Sequence, residues 1–324
     1  MVVLPGGRWS RFRARRGNDV LGRRTKDALS LARGYVGAVK LATIRLGGTT
    51  TVARIEETAG EAVEVSATDV GALLALPDWP RIAATAAGPR HGLGEVDYAP
   101  LVPHPTKVVC VGQNYRKHLA EQGIEAPKRP TLFAKFPSAL IGAADEVLLP
   151  LDSERVDWEV ELAVVMGWPA HRVGEDQALD FVAGYSVLND VSMRDWQYRT
   201  SQFLQGKTFD HATPLGPWLS TRDDPAVDEK GMDVYCDLNG ERVQEGNTSD
   251  LLFDVRHLVS YISHAMTLLP GDIIATGTPG GSGHWRSPAR YLCDGDVLVT
   301  GGRGLGECRN VCLGEKEGEQ TAGQ

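Results

Sequence analysis

The stretch Asp157-Trp158-Glu159-Val160-Glu161-Leu162-Ala163-Val164-Val165 constrains this chain more than any other. Apolar and polar residues alternate along it, the pattern of a β-strand. Side chains two apart on a strand share a face, so Val156, Trp158, Val160, Leu162 and Val164 fall on one side and Asp157, Glu159 and Glu161 on the other. Ala163 and Val165 continue the acidic face as apolar, which places the acidic end at the mouth of a cleft. Neighbouring carboxylates on one face at the edge of a buried strand repel each other. They are tolerated where water screens them, where one is protonated, or where a cation sits between them.

A second apolar run, Phe181 to Asn189, ends on a third carboxylate, Asp190. No His or Cys lies beside these acids in sequence. Three carboxylates form a hard, all-oxygen set that suits Mg²⁺ or Mn²⁺ rather than Zn²⁺. A bare Glu-x-Glu on a strand also describes a solvated face, so the choice between the two rests on the neighbouring motifs.

The 324-residue chain is long enough for one large domain or two. Its 37 glycines and 7% aromatic content favour strands and turns over a helical bundle. No apolar run reaches transmembrane length. The five cysteines are odd in number and scattered, and no secretory signal is evident. Reduced thiols in a cytoplasmic protein are the expectation. Charge is uneven. Residues 1–36 carry a net +7, which leaves −15 on the rest of a chain whose total is −8. The acidic body argues against nucleic acid as a partner, and nothing marks a membrane anchor. Residues 1–38 read as a disordered basic extension, 39–100 as a small N-terminal module, 101–314 as the catalytic body and 315–324 as a disordered tail.

In the N-terminal module, Val39 to Leu46 and Thr50 to Ile55 predict two strands joined at Gly47-Gly48. Thr68 is placed to cap a helix carrying Val70, Leu73 and Leu74. Residues 83–94 read as a loose connector. In the body, Asn114 to Glu121 predicts a helix ending at Gly123, with Asn114, His118 and Glu121 on one face. A carboxylate beside a histidine holds its tautomer and raises its basicity, so this pair can orient or deprotonate a water. An ordinary surface ion pair fits the same spacing. Lys135 ends a strand as a solvated charge or an anion contact. Residues 191–197 read as a helix start with Arg194 and Gln197 on one face, and Lys207 follows Gly206, where backbone and ammonium can both approach a ligand. Asn239-Gly240 predicts a hairpin turn, and residues 254–268 a helix. Thr276-Gly277-Thr278-Pro279 is a Gly-containing turn after a strand that can present N–H groups to an anion.

Taken in order, six motifs resemble those of the fumarylacetoacetate hydrolase family. They are Asn114-Tyr115-x-x-His118-x-x-Glu121, Trp158-Glu159-x-Glu161, Asn189-Asp190-x-Ser192-x-Arg194-Asp195-x-Gln197, Gly206-Lys207-x-Phe209-Asp210, Asn239-Gly240 with Gln244, and Thr276-Gly277-Thr278-Pro279. The resemblance runs from about residue 39 to about residue 311. It implies an α+β, β-rich fold: a mixed β-roll catalytic domain, a small N-terminal α/β module, and a homodimer. It assigns Glu159, Glu161 and Asp190 as ligands of Mg²⁺ or Mn²⁺. It assigns His118 and Glu121 as a water-activating dyad on a short lid helix, and Lys207 as a lysine near the reacting carbonyl. Lys135, Arg194, Gln197 and Thr278 match substrate contacts. Gln113 and the loop Gly280-Gly281-Ser282-Gly283-His284 depart from the family pattern at the substrate end. Because the resemblance begins near Val39, translation is expected to start there, which the intact mass of the protein from its native host would test.

The activity this implies is hydrolysis of a C–C bond in a 2,4-dioxo acid such as an acylpyruvate or a fumarylpyruvate. The cation would chelate the 2-oxo acid while His118 activates water. Decarboxylation of oxaloacetate and isomerisation of an unsaturated 2-oxo diacid use the same enolate chemistry and stand as alternatives, as does cleavage of a dioxo sugar acid. A non-catalytic small-molecule-binding dimer is the reading from outside enzymology.

Overall fold

The computed structural model describes residues 37–316, without the side chains of Glu121 and Gln122. The readings for residues 1–36 and 317–324 lie outside the described residues. Two sheets build the chain. The larger runs, strand by strand, Arg90–Gly92, Glu61–Val65, Thr49–Glu56, Lys40–Leu46, Thr213–Thr221, Val182–Asn189, Val160–Met166, Ile273–Ala275, Val108–Gly112 and Thr131–Lys135. The N-terminal strands thus join the body by pairing Lys40 with Ser220. The smaller sheet runs Glu241–Asn247, Asp233–Leu238, Val297–Gly302, Gly306–Gly314 and Val147–Leu149.

Most pairings are antiparallel, but Ile273–Ala275 with Val108–Gly112 and Gly306–Gly314 with Val147–Leu149 are parallel. The sheets are therefore mixed, and short helices lie between strands, so the chain has the α+β, β-rich class expected of it. The Asn239-Gly240 hairpin forms as predicted. Both residues have positive φ, 53° and 83°, as a two-residue hairpin of the right twist requires. Among the described residues no helix is long and apolar enough to cross a membrane. The five cysteines are free thiols, four of them buried.

Several local readings change. The alternation predicts one unbroken strand over 157–165, but the chain breaks at Trp158-Glu159. Val156–Asp157 pairs with Ser192–Met193, and a new strand begins at Val160. Every residue from Val156 to Met166 is buried, so neither face is a solvent face. Asp69, not Thr68, caps the helix Val70–Leu74, accepting from Ala72 N. Residues 83–94 hold the end of helix Trp79–Ala84 and the strand Arg90–Gly92. Residues 191–197 are a two-residue strand followed by the helix Arg194–Gln197. Glu315 is tied down, its N–H donating to Leu149 O.

Candidate active site and metal centre

Register brings the three acids together. Strands Val160–Met166 and Val182–Asn189 are antiparallel, with Val160 opposite Asn189. The residue before one strand and the residue after the other therefore meet, and Asp190 N donates to Glu159 O at 2.8 Å. One carboxylate oxygen from each of Glu159, Glu161 and Asp190 lies within 4.8 Å of the other two, and all three residues are buried.

The break in the strand is braced by side chains. Glu159 N donates to Asn189 Oδ1 and Val160 N to Gln244 Oε1, each at 2.9 Å. Asn189 Nδ2 in turn donates to Thr300 Oγ1, and Gln244 Nε2 donates to Thr278 Oγ1 and Pro279 O. Thr300 and Gln244 belong to the smaller sheet, so both sheets hold the acidic cluster. Backbone polar groups in an interior need partners, and here two amide side chains replace the missing ladder.

Cationic side chains surround the cluster. Lys207 Nζ donates to Glu159 Oε2 at 2.5 Å and to Asp190 Oδ2 at 2.8 Å. Arg194 Nη2 donates to Glu159 Oε1 at 2.5 Å. Lys135 Nζ lies 2.9 Å from Asp190 Oδ1, yet that oxygen receives no hydrogen bond. Lys207 reaches its place because Gly206 carries no side chain: a Cβ there would stand 2.4 Å from Gln197 N and 2.5 Å from Met193 O. Glu161 accepts from Gly277 N at 2.8 Å. Gly277 has φ +101°, and a Cβ on it would stand 2.8 Å from Asn114 Cβ.

Electrostatics separate the acids. Burial alone would raise the Glu159 carboxyl, but Arg194 and Lys207 outweigh it and hold the group at about 2. Glu161 has no such cation. Burial, then the charges of Asp190 and Glu159, push it well above the ordinary carboxylate value. Burial opposes the charge on Lys207, but Asp190 and Glu159 prevail, so its ammonium loses its proton less readily than usual. Four buried acids (Asp157, Glu159, Glu161, Asp190) thus face three buried cations (Lys135, Arg194, Lys207). One negative charge is left over, on Glu161. A group of hard oxygens with one uncompensated charge and one unbonded oxygen fits Mg²⁺ or Mn²⁺.

A cavity of about 260 Å³ opens onto this cluster, with Glu159, Glu161, Arg194 and Lys207 at its polar end. Gln197 and Thr278 also line it, whereas Asp190 and Lys135 are fully buried and do not. His118 lines it from helix Arg116–Gln122, which ends at Gly123 with φ +64°. The Glu121 backbone lies on the same helix, and its side chain is outside the described residues. Asn114 does not share that helical face. It precedes the helix and binds Phe253 N, Phe253 O and Thr276 O instead. Asp157 also leaves the cluster. Its oxygens accept from Arg194 Nε and Nη2, Trp158 N, Gly283 N and His284 N. No local spacing announces this role, because Arg194 is 37 residues away. A larger cavity of about 850 Å³, beside Arg222, Arg256 and His257, contains none of the clustered acids.

Mixed sheets that carry three buried carboxylates, a lysine and a histidine around a small cavity define a class of enzyme that grips an acidic substrate through a divalent cation. The chain belongs to the fumarylacetoacetate hydrolase family, whose C-terminal fumarylacetoacetate (FAA) hydrolase model matches residues 107–312. It is 47% identical over 206 residues to the mitochondrial oxaloacetate tautomerase FAHD2A of Homo sapiens. That match covers 63% of this chain and 65% of the relative, so the chain spans just under two thirds of that protein's length. Among solved structures, it resembles a fumarylacetoacetate hydrolase from Exiguobacterium antarcticum with TM-score 0.75 and 32% identity, over 86% of this chain and 100% of that one. The 2-hydroxyhepta-2,4-diene-1,7-dioate isomerase of Mycobacterium marinum superposes with TM-score 0.72 at 32% identity, over the same shares.

Proposed function

We propose that the chain catalyses keto–enol proton transfer on a 2-oxo acid, with Glu159, Glu161 and Asp190 holding Mg²⁺ or Mn²⁺. The observation that carries this reading is the buried trio of acids in contact with Lys207 at the end of a small cavity. A divalent cation bound there supplies Lewis-acid polarisation of the 2-oxo group. The ammonium of Lys207, kept charged by its acidic neighbours, donates to the oxyanion as it develops on the keto oxygen. His118, on the cavity wall, takes the proton from the carbon next to the keto group. The C–H bond breaks, the C=C bond forms, and a proton arrives on the former keto oxygen. Gln197 and Thr278 orient the acid. The names of the human tautomerase and the mycobacterial isomerase support this, since each describes a shift of a proton and a double bond.

Hydrolysis of a C–C bond in a 2,4-dioxo acid is the second reading. It is favoured by the place of His118 on the wall, where it can serve a water as well as a carbon acid, and by the hydrolase title of the Exiguobacterium neighbour. The test is enol decay of oxaloacetate and cleavage of acetylpyruvate, each followed with Mn²⁺ and with chelator, with products identified. Faster enol decay without cleavage is expected. Acetylpyruvate cleavage alone would transfer the assignment to the hydrolase. Neither reaction, in protein that binds Mn²⁺, would remove both. His118→Ala should lose on the order of a hundredfold in rate while keeping the Mn²⁺-induced thermal shift.

A further inference from the structure

The far end of the cavity is built differently from the acidic end. Tyr198 and Trp285 line it, and each is 51% exposed. Phe133 and Phe203 line it too and pack edge to face, with ring centroids 5.7 Å apart. The His284 ring lies between Tyr198 at 5.6 Å and Trp285 at 5.0 Å, so Tyr198, His284 and Trp285 form one aromatic array at the rim.

That array stands on a braced loop. Asp157 accepts from Gly283 N at 2.6 Å and His284 N at 3.0 Å, and His284 Nδ1 pairs with Tyr291 Oη at 2.9 Å. Any side chain at residue 283 is excluded, because a Cβ there would lie 1.9 Å from Arg290 O and 2.7 Å from Trp158 Cη2. Large aromatic surfaces held half-exposed on a fixed loop remain wetted until something planar covers them.

The cations of the cavity are already engaged. Arg194 and Lys207 are the cationic side chains among the described lining residues. Arg194 is bound by Asp157 and Glu159, and Lys207 by Glu159 and Asp190. A carboxylate at the rim would therefore be desolvated against aromatic faces with no charge to meet it.

We infer that the group beyond the 2-oxo acid is planar and apolar, an aryl ring or a conjugated chain, and that Trp285 and Tyr198 are specificity residues that stack on it. This rests on the 2-oxo acid reading of the same site. It also sets the chain apart from a diacid such as the oxaloacetate of the human relative's name.

The test uses two 2-oxo acids that cannot enolise, so that binding is read without turnover: phenylglyoxylate, with an aryl far end, and ketomalonate, with a carboxylate. Both are titrated into the full chain with Mn²⁺ by calorimetry and by tryptophan fluorescence. Phenylglyoxylate should bind about tenfold more tightly, the size of a good aromatic contact. Trp285→Ala should abolish the preference and Trp285→Phe should keep most of it, with Tyr198→Leu as the independent second variant. Equal or tighter binding of ketomalonate, no binding of phenylglyoxylate, or a preference unchanged in both Trp285→Ala and Tyr198→Leu overturns the inference. Enolisation of phenylpyruvate and oxaloacetate is measured alongside. If the binding preference holds while neither acid is enolised, the proposed reaction fails and the rim assignment stands. If oxaloacetate is enolised while ketomalonate binds better, the reaction stands and the rim assignment fails.

Discussion

Glu161→Gln should make the metal-free protein more stable. Glu161 is 1% exposed and meets two acidic neighbours without a cation of its own. At a separation of about 4.8 Å and an effective dielectric of about 20, each like charge costs about 3.5 kcal/mol. Lys207 offsets roughly one of the two, leaving about 3 kcal/mol. Linkage gives a bound of the same size. A carboxyl whose folded pKa is raised contributes stability that is full below its unfolded value and is lost as pH rises towards the folded one. Each pH unit above the ordinary value of 4.5 removes about 1.4 kcal/mol, hence no more than about 3 kcal/mol by pH 7. Glutamine keeps an acceptor for Gly277 N and carries no charge. In chelator near pH 7 the variant should melt about 5 °C above the parent, and the gap should shrink to about 1 °C near pH 5. With millimolar Mn²⁺ the order should reverse, because the parent gains binding free energy, about 4 kcal/mol at a thousandfold excess over Kd, that the variant loses. Differential scanning fluorimetry across pH reads all of this. A variant no more stable than the parent in chelator at pH 7, or one whose gain does not diminish with falling pH, would refute the charge count.

Three further substitutions test the supports around the acids. Lys207→Met leaves Glu159 and Asp190 without their shared ammonium, so the metal-free protein should lose about 3 kcal/mol or more in denaturant titration, and turnover should fall on the order of a hundredfold. Gly206→Ala pushes a methyl into the backbone of Met193 and Gln197. It should cost about 2 kcal/mol or more in the same titration, with activity lost through displacement of Lys207. Gln244→Ala removes the acceptor of Val160 N, a buried donor, and should lower stability by about 1–3 kcal/mol with a weaker Mn²⁺-induced thermal shift. A Gln244→Ala protein with parental melting and metal response would show that water replaces the amide.

Elements whose signal is local were legible in the sequence. The Asn239-Gly240 hairpin, the Gly123 end of the His118 helix and the strand ending before Asp190 each depend on a few adjacent residues. So was the acidic trio, because Glu-x-Glu and a strand-terminal Asp carry the chemistry in their identity. What could not be read depends on contacts between distant segments. The strand breaks at Trp158-Glu159 because Asn189 and Gln244 take over its N–H groups from 30 and 84 residues away. Asp157 shares the acidic face by alternation, yet Arg194 and the loop at Gly283 claim it. Thr68 and Asp69 are both good caps, and only the entry angle of the chain selects the second. Arg194 and Lys207 look like free cations in the sequence, and only their neighbours in space show that their charges are engaged.

That engagement bears on how the site works. An arginine or lysine aimed into open solvent would serve any anion that entered. Here Arg194 and Lys207 are spent on Glu159, Asp157 and Asp190, so they orient the acids more than they attract ligand. The charge left over is negative and sits on Glu161. A bare anionic substrate would therefore meet a site of its own sign, and affinity for it has to come through the cation that Glu161, Glu159 and Asp190 hold together. On this reasoning substrate binding requires metal loading first. Calorimetric titration of phenylglyoxylate into chelated protein should show no binding, and the same titration with Mn²⁺ should. Equal binding in both conditions would mean that Arg194 or Lys207 releases its acid to receive the ligand.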